Sequence, residues 1–282
     1  MALKMPAARQ FGWALKPNSS SHFHIHKRSN GQFAVVLNHA LLRGVTADMI
    51  TWWFANFANL SVRLIDVPSY EEAVVPVYHL WHPTDHYSAS LLGQTYPDGT
   101  ARAGAKIHIR EAMQYDTLGW KYAVDQKLEI LYIGPDGWAM GKVLPLLGPL
   151  MVLRIHFKDV VEGDFHAGVH YHYEIVVGTS IGNFVGRQIN KRLTAKFGPE
   201  FFEAWHRHNV IEVGTFENFL PSLYAQRANL SDMSYSPVTA KRPPSPSDQS
   251  GFSRSLFKRR AQGFQSAHDL YTYQAFAAQS FL

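Results

Sequence analysis

Between residues 74 and 178 the chain alternates short apolar runs with turn signals, and this alternation leaves few architectures open. VVPVYHLWH, HYSASLLGQ, AKIHIREAM, KLEILYIG, PLMVLRIHF and GVHYHYEIVVG read as strands, separated by turns such as YPDG, GPDG and VEGD. After them the period changes. IGNFVGRQINKRLTAKF predicts a helix that Gly198 and Pro199 break, and Pro199 suits the first position of the next helix, EFFEAWHRHNVIEV. Gly214 is expected to stop that helix and Thr215 to cap a short third one. A run of antiparallel strands followed by long helices gives an α+β class. A curved sheet closing on a long helix can enclose a ligand cavity.

Four regions follow. Residues 1–30 are Ser- and His-rich and are expected to be poorly ordered, with the three histidines of HFHIH exposed. Residues 31–66 form a small strand and helix region: FAVVLN, a turn at LRG, then TADMITWWFANF, which Thr46 opens as N-cap. Trp52, Trp53, Phe54 and Phe57 cover too much of that helix for simple amphipathicity and read as core packing. Residues 67–225 carry the strands and long helices, and residues 226–282 a polar Pro/Ser-rich linker and tail, whose last stretch reads as a helix.

Composition narrows the chemistry. The 282 residues, 46% apolar and 13% aromatic, suffice for a real core. Cysteine is absent, so any metal must be held by His, Asp and Glu. Much of the +5 charge sits in HKR near residue 27 and FKRR near residue 258, which reads as solvated ends rather than a nucleic-acid footprint. The start, MALKMPAARQFGWALK, lacks a signal-peptide core, its basic and acid-free character being a weak transit-peptide signal. No stretch has the apolar length of a membrane span. The expectation is a soluble cytoplasmic protein with no nucleic-acid or membrane partner; a homodimer is left open.

His208 and Glu212 are four apart in a helical segment and share a face, so both can point at one ion. That spacing alone also describes a solvated pair. A second polar cluster raises its meaning: YHLWHPTDHYSAS holds His79, His82, Asp85 and His86 in an apolar, aromatic setting. In AKIHIREAM, Glu111 is in phase with Ile107 and Ile109, and a buried carboxylate needs a partner such as a cation. His170, His172 and Glu174 share another strand face as a rival, cupin-like set, but they lie opposite the apolar face of Val169, Tyr171, Tyr173, Ile175 and Val177 and read as an exposed stripe.

WHPTDH, the IREA segment, HYHYEIVVGTSIG and above all RHNVIEVGTFENFLPSLY resemble the 2,4-diacetylphloroglucinol hydrolase (phloretin hydrolase-like) family, from about residue 33 to residue 225. The resemblance implies a Bet v1-like helix-grip fold and a zinc-dependent enzyme that cuts a carbon–carbon bond between an acyl group and a phenolic ring. It implies a zinc site of two histidines and two glutamates: His208 and Glu212 as the helical pair, Glu111 from a strand, and His86, or else His82, from WHPTDH. It also implies a tyrosine and a histidine near the ion, for which Tyr171, Tyr78 and His156 are the counterparts. Strand phase favours Tyr171 and argues against His156, which alternates with Arg154 and Lys158. The substrate would be a small aromatic or polyketide molecule. Two other readings stay open: a metal-dependent non-hydrolytic polyketide cyclase or lyase, and a metal-free carrier of an apolar ligand.

Overall fold

The computed structural model describes residues 4–65, 67, 74–145, 147–228 and 234–235. They all fall in one compact unit, Met1–Arg242. The linker and tail expected beyond residue 235 lie outside the described residues.

Eight strands form one antiparallel sheet, as the turn-punctuated sequence requires. In chain order they are β1 (Ser21–Lys27), β2 (Phe33–His39), β5 (His86–Leu92), β6 (Lys106–Ala112), β7 (Ala123–Gly134), β8 (Gly137–Leu144), β9 (Gly148–Glu162) and β10 (Phe165–Val177). Between β2 and β5 lie β3 (Ser61–Leu64) and β4 (Val74–Pro76), which pair with each other and, through β3, with β11 (Ser234–Tyr235). The large sheet runs β1-β2-β10-β9-β8-β7-β6-β5. Strands β1 and β2 therefore belong to the same sheet as the strands after residue 85. His22, His24 and His26 are exposed on β1, the outermost strand on its side.

The helices are α1 (Ala47–Asn56), α2 (Tyr78–Trp81), α3 (Tyr115–Leu118), α4 (Phe184–Lys196) and α5 (Pro199–Ala225). Thr46 caps α1 as expected, its hydroxyl accepting from Met49 N at 3.2 Å. Trp53, Phe54 and Phe57 are buried, and Trp53 packs edge-on against Trp81, Phe216 and Phe219. Phe216 of α5 in turn meets Tyr171, and Trp205 meets Tyr173, so α5 lies on the aromatic face of β10.

Three expectations are corrected. VVPVYHLWH is not one strand: β4 ends at Pro76, and YHLW forms the helical turn α2 with all four residues buried. An apolar run buried on every side has no period to distinguish helix from strand. GWAMGKVL, unnamed within the strand-like stretch, is β8. Gly214 does not end its helix, and Thr215 caps no third one; α5 runs unbroken to Ala225. A side chain at Gly214 would press on the Lys16 alkyl chain, which crosses the helix there to place Nζ 2.6 Å from Glu217 Oε1. The glycine is thus a packing position, and the Thr215 hydroxyl bonds the Trp81 carbonyl at 2.7 Å.

Gly168 marks a bulge where β10 slips against β9, and beside it Val169 exchanges backbone hydrogen bonds with Leu42. Its φ of +143° is closed to side chains, and an added Cβ would overlap the Leu42 carbonyl oxygen. Gly168→Ala is expected to cost at least about 2 kcal/mol, read from the urea unfolding midpoint. An unchanged midpoint would contradict this account of the bulge.

Candidate metal centre

Two strands and one helix bring four side chains together. His86 opens β5 and stands opposite Glu111 of β6, where a register shift between His86 and Ser88 interrupts the strand alternation. Glu111 follows Ile107 and Ile109 toward the core, as its phase predicts. One turn of α5 separates His208 from Glu212, both buried. His86 Nε2 lies 3.4 Å from Glu212 Oε1 and 3.6 Å from Glu111 Oε2. His208 Nε2 lies 3.9 Å from an oxygen of each glutamate.

Hydrogen bonds to the far side of each group aim its remaining lone pair inward. His86 Nδ1 donates to the Tyr78 carbonyl at 2.7 Å, since a carbonyl can only accept, and the ring stacks on Tyr78 at 3.7 Å. Its Nε2 therefore carries the lone pair; this atom is buried and has no hydrogen-bond partner among the described residues. His208 Nδ1 donates to Asp85 Oδ2 at 2.8 Å, which turns its Nε2 toward the glutamates. The Tyr78 hydroxyl donates to Glu111 Oε2 at 2.6 Å. Asn209 Nδ2 donates to Glu212 Oε2 at 2.8 Å, while Asn209 Oδ1 accepts from His39 Nε2 at 3.0 Å.

Burial pushes His86 well below the ordinary imidazole range, so it is neutral and fit to donate a lone pair. Burial would lower His208 too, but the Asp85 hydrogen bond and the charges of Glu111 and Glu212 outweigh it and raise His208 to about 9. Burial raises Glu212 to about 8 against the opposing pull of His208. At neutral pH both groups therefore hold a proton, on His208 Nε2 and on the Glu212 carboxyl, which a divalent cation would displace, so its binding is expected to strengthen as pH rises.

The four groups fit such an ion. Bonds of about 2.0–2.1 Å in a tetrahedron put ligand atoms roughly 3.3 Å apart. Glu111 Oε2 lies 3.6 Å from His86 Nε2 and 3.9 Å from His208 Nε2, a small contraction away, whereas Glu212 reaches His86 through Oε1 and His208 through Oε2 and would have to turn to offer one oxygen to both. Two neutral imidazoles and two carboxylates suit a divalent first-row metal. His86, Glu111 and His208 form one buried set with metal-binding spacing, and His82, Asp85 and His208 form another.

In the second set Asp85 is engaged by other donors, while His82 Nε2, like His86 Nε2, is buried without a hydrogen-bond partner among the described residues. His82 Nδ1 accepts from Asp85 N at 3.1 Å, so its proton is on Nε2, which stands 3.4 Å from Asp85 Oδ2. The His82 ring stacks on His208 at 4.5 Å. His79 is turned away, bonding the Tyr87 carbonyl. Tyr78 touches both His86 and Glu111. Tyr171 is buried beside Tyr173 and His39, with no well-formed hydrogen bond to its hydroxyl. The structure does not bring His156 to this centre. It alternates with buried Ile155 and Phe157 and sits in register with His172, on the sheet face opposite Tyr171. His170 and Glu174 share that outer face, and Glu174 pairs with Arg28 and Arg154 at 3.3 Å. Sequence reading gave no role to Asp85, Asn209, His39 or Tyr173; only the HN pair at 208–209 hinted at one.

Residues 15–117 match the family model described as DAPG hydrolase PhiG domain. No curated protein matches. Among solved structures, the di-domain ARO/CYC BexL from the BE-7585A biosynthetic pathway is 8% identical at a TM-score of 0.35, over 66% of this chain and 50% of that one. A protein of unknown function from Staphylococcus aureus, SA2116, is 9% identical at a TM-score of 0.30, over 65% of this chain and 96% of that one. This chain thus spans half the length of the first, and likeness at this level assigns neither fold nor activity. The family match contains His86 and Glu111 and stops short of His208 and Glu212. Over residues 15–117, this chain resembles the diacetylphloroglucinol hydrolase family.

Proposed function

We propose that the chain is a zinc-dependent hydrolase that cleaves the bond between an acyl carbon and a phenolic ring carbon, on an acylphloroglucinol or related polyketide. The observation that carries the reading is His86 Nε2, a buried lone pair with no hydrogen-bond partner among the described residues, facing Glu111 and Glu212. Such an atom is costly to bury unless something binds it. The family match supports the substrate class, and the long α5 against an eight-stranded antiparallel sheet supports a helix-grip catalytic body, one that takes in β1 and β2 and so reaches back from residue 67 to residue 21.

His86, Glu111, His208 and Glu212 would hold the ion. A zinc ion there supplies Lewis acidity toward an acyl carbonyl and lowers the pKa of water toward neutrality. In the overall reaction, water oxygen joins the acyl carbon, the carbon–carbon bond breaks, and the ring carbon takes a proton, giving a carboxylic acid and the deacylated phenol. Tyr78 holds Glu111 through its hydroxyl and fixes His86 through its ring. Tyr171 is the better proton donor or phenol-orienting group, because its buried hydroxyl has no well-formed bond to give up. Burial raises its pKa well above the usual value, so the proton is present at neutral pH. The aromatic walls, Trp81, Tyr173 and Phe216 among them, would exclude water and stack on a planar ring.

Two measurements test this. Elemental analysis of the purified chain is expected to give about one zinc per chain, lost in His86→Ala and retained in His82→Ala. Zinc lost in His82→Ala but kept in His86→Ala would overturn the ligand set. With an acylphloroglucinol in ¹⁸O-labelled water, the released acid is expected to carry label, and Glu212→Ala to lower kcat by at least about 100-fold. Turnover without label would point to a cyclase or lyase, and a zinc-free protein that binds the substrate unchanged to a carrier.

A further inference from the structure

Asp85 is buried, and four well-formed hydrogen bonds converge on its carboxylate. Gln114 N and His208 Nδ1 donate to Oδ2, both at 2.8 Å. Tyr115 N donates to Oδ1 at 3.0 Å and the Thr84 hydroxyl at 2.9 Å. The two backbone donors point the same way because Gln114 sits in the left-handed region, φ 54° and ψ 47°. Among the described residues it is the only non-glycine with positive φ. A backbone held in that region is unfavourable for a side chain and persists only where its surroundings enforce it.

We propose that Asp85, clamped by the Gln114–Tyr115 turn, is the positioning residue that makes His208 a metal ligand. Because a fixed backbone N–H occupies each carboxylate oxygen, the group cannot rotate. Oδ2 then offers His208 Nδ1 nothing but an acceptor, so a ring proton is held on Nδ1 and Nε2 is the nitrogen left to face Glu111 and Glu212 as ligand. Asp85 orients rather than ligates, since its oxygens are already engaged by these donors. An amide at this position cannot serve: whichever oxygen became NH₂, it would meet a backbone N–H of Gln114 or Tyr115. The charge and both oxygens are therefore needed together. This inference rests on the metal reading above, and it extends that reading to a loop the strand and helix patterns do not contain.

The test uses cobalt(II) with the full chain, reading affinity by competition with a chromophoric chelator, coordination by the visible d–d spectrum, and folding by circular dichroism. Asp85→Asn is expected to fold, to bind cobalt about 10–100-fold more weakly and to show an altered spectrum. Gln114→Gly keeps the backbone N–H and relieves the left-handed strain, so it is expected to match the wild type in affinity and spectrum. Wild-type affinity and spectrum in Asp85→Asn would overturn the proposal, whatever its melting temperature. Weakened binding in Gln114→Gly would assign the role to the glutamine side chain and overturn the clamp. If Asp85→Asn does not fold, Thr84→Val deletes one donor to the same carboxylate; a several-fold loss is expected there, and an unchanged affinity would overturn the proposal. Absence of cobalt binding by the wild type would instead defeat the metal reading itself.

Discussion

The contact between α5 and the aromatic face of β10, Phe216 on Tyr171 and Trp205 on Tyr173, is the packing on which the centre depends. It sets the rotation of the helix, and with it the direction of every residue on that face. His208 and Glu212 lie between those two aromatic anchors in sequence, so the helix cannot bury Trp205 and Phe216 without also burying a histidine and a glutamate. Burial of that pair is unfavourable by itself. The strands answer it with Glu111, the neutral ring of His86 and, one residue earlier, the carboxylate of Asp85. Around the centre these polar groups form one connected network.

Each of the four inward-facing groups has its own support. Tyr78 serves two of them, accepting from His86 through its carbonyl and donating to Glu111 through its hydroxyl. Asp85 holds His208, and the pair His39–Asn209 holds Glu212. Supports of this kind fix tautomers and carboxylate rotamers before any ligand arrives, which reduces the ordering cost of binding. The short helix α2 is central to this, because it carries Tyr78 and passes directly into the turn that presents His82, Asp85 and His86.

Much of this was legible in the sequence, because the information is periodic. Period two put Glu111 in phase with Ile107 and Ile109, and Tyr171 in phase with Val169 and Ile175; both side chains are on the core face. The four-residue spacing of His208 and Glu212 needed only a helix. What was not legible depends on contacts between distant residues. Gly214 reads locally as a helix stop, and only the crossing of Lys16 shows why the helix continues. The role of Asp85 depends on the left-handed turn at Gln114, and that of His39 on Asn209, neither of which any spacing rule contains. Phase set His156, a counterpart suggested by resemblance, on the face opposite Tyr171, and the structure has it on that outer face.

X-ray absorption at the zinc edge of the purified protein tests the central claim most directly. The account predicts a first shell of nitrogen and oxygen at about 2.0–2.1 Å, with outer-shell scattering from two imidazoles, both lost in His86→Ala combined with His208→Ala. A shell of water oxygens alone, or imidazole scattering that survives that double substitution and disappears with His22, His24 and His26, would contradict it.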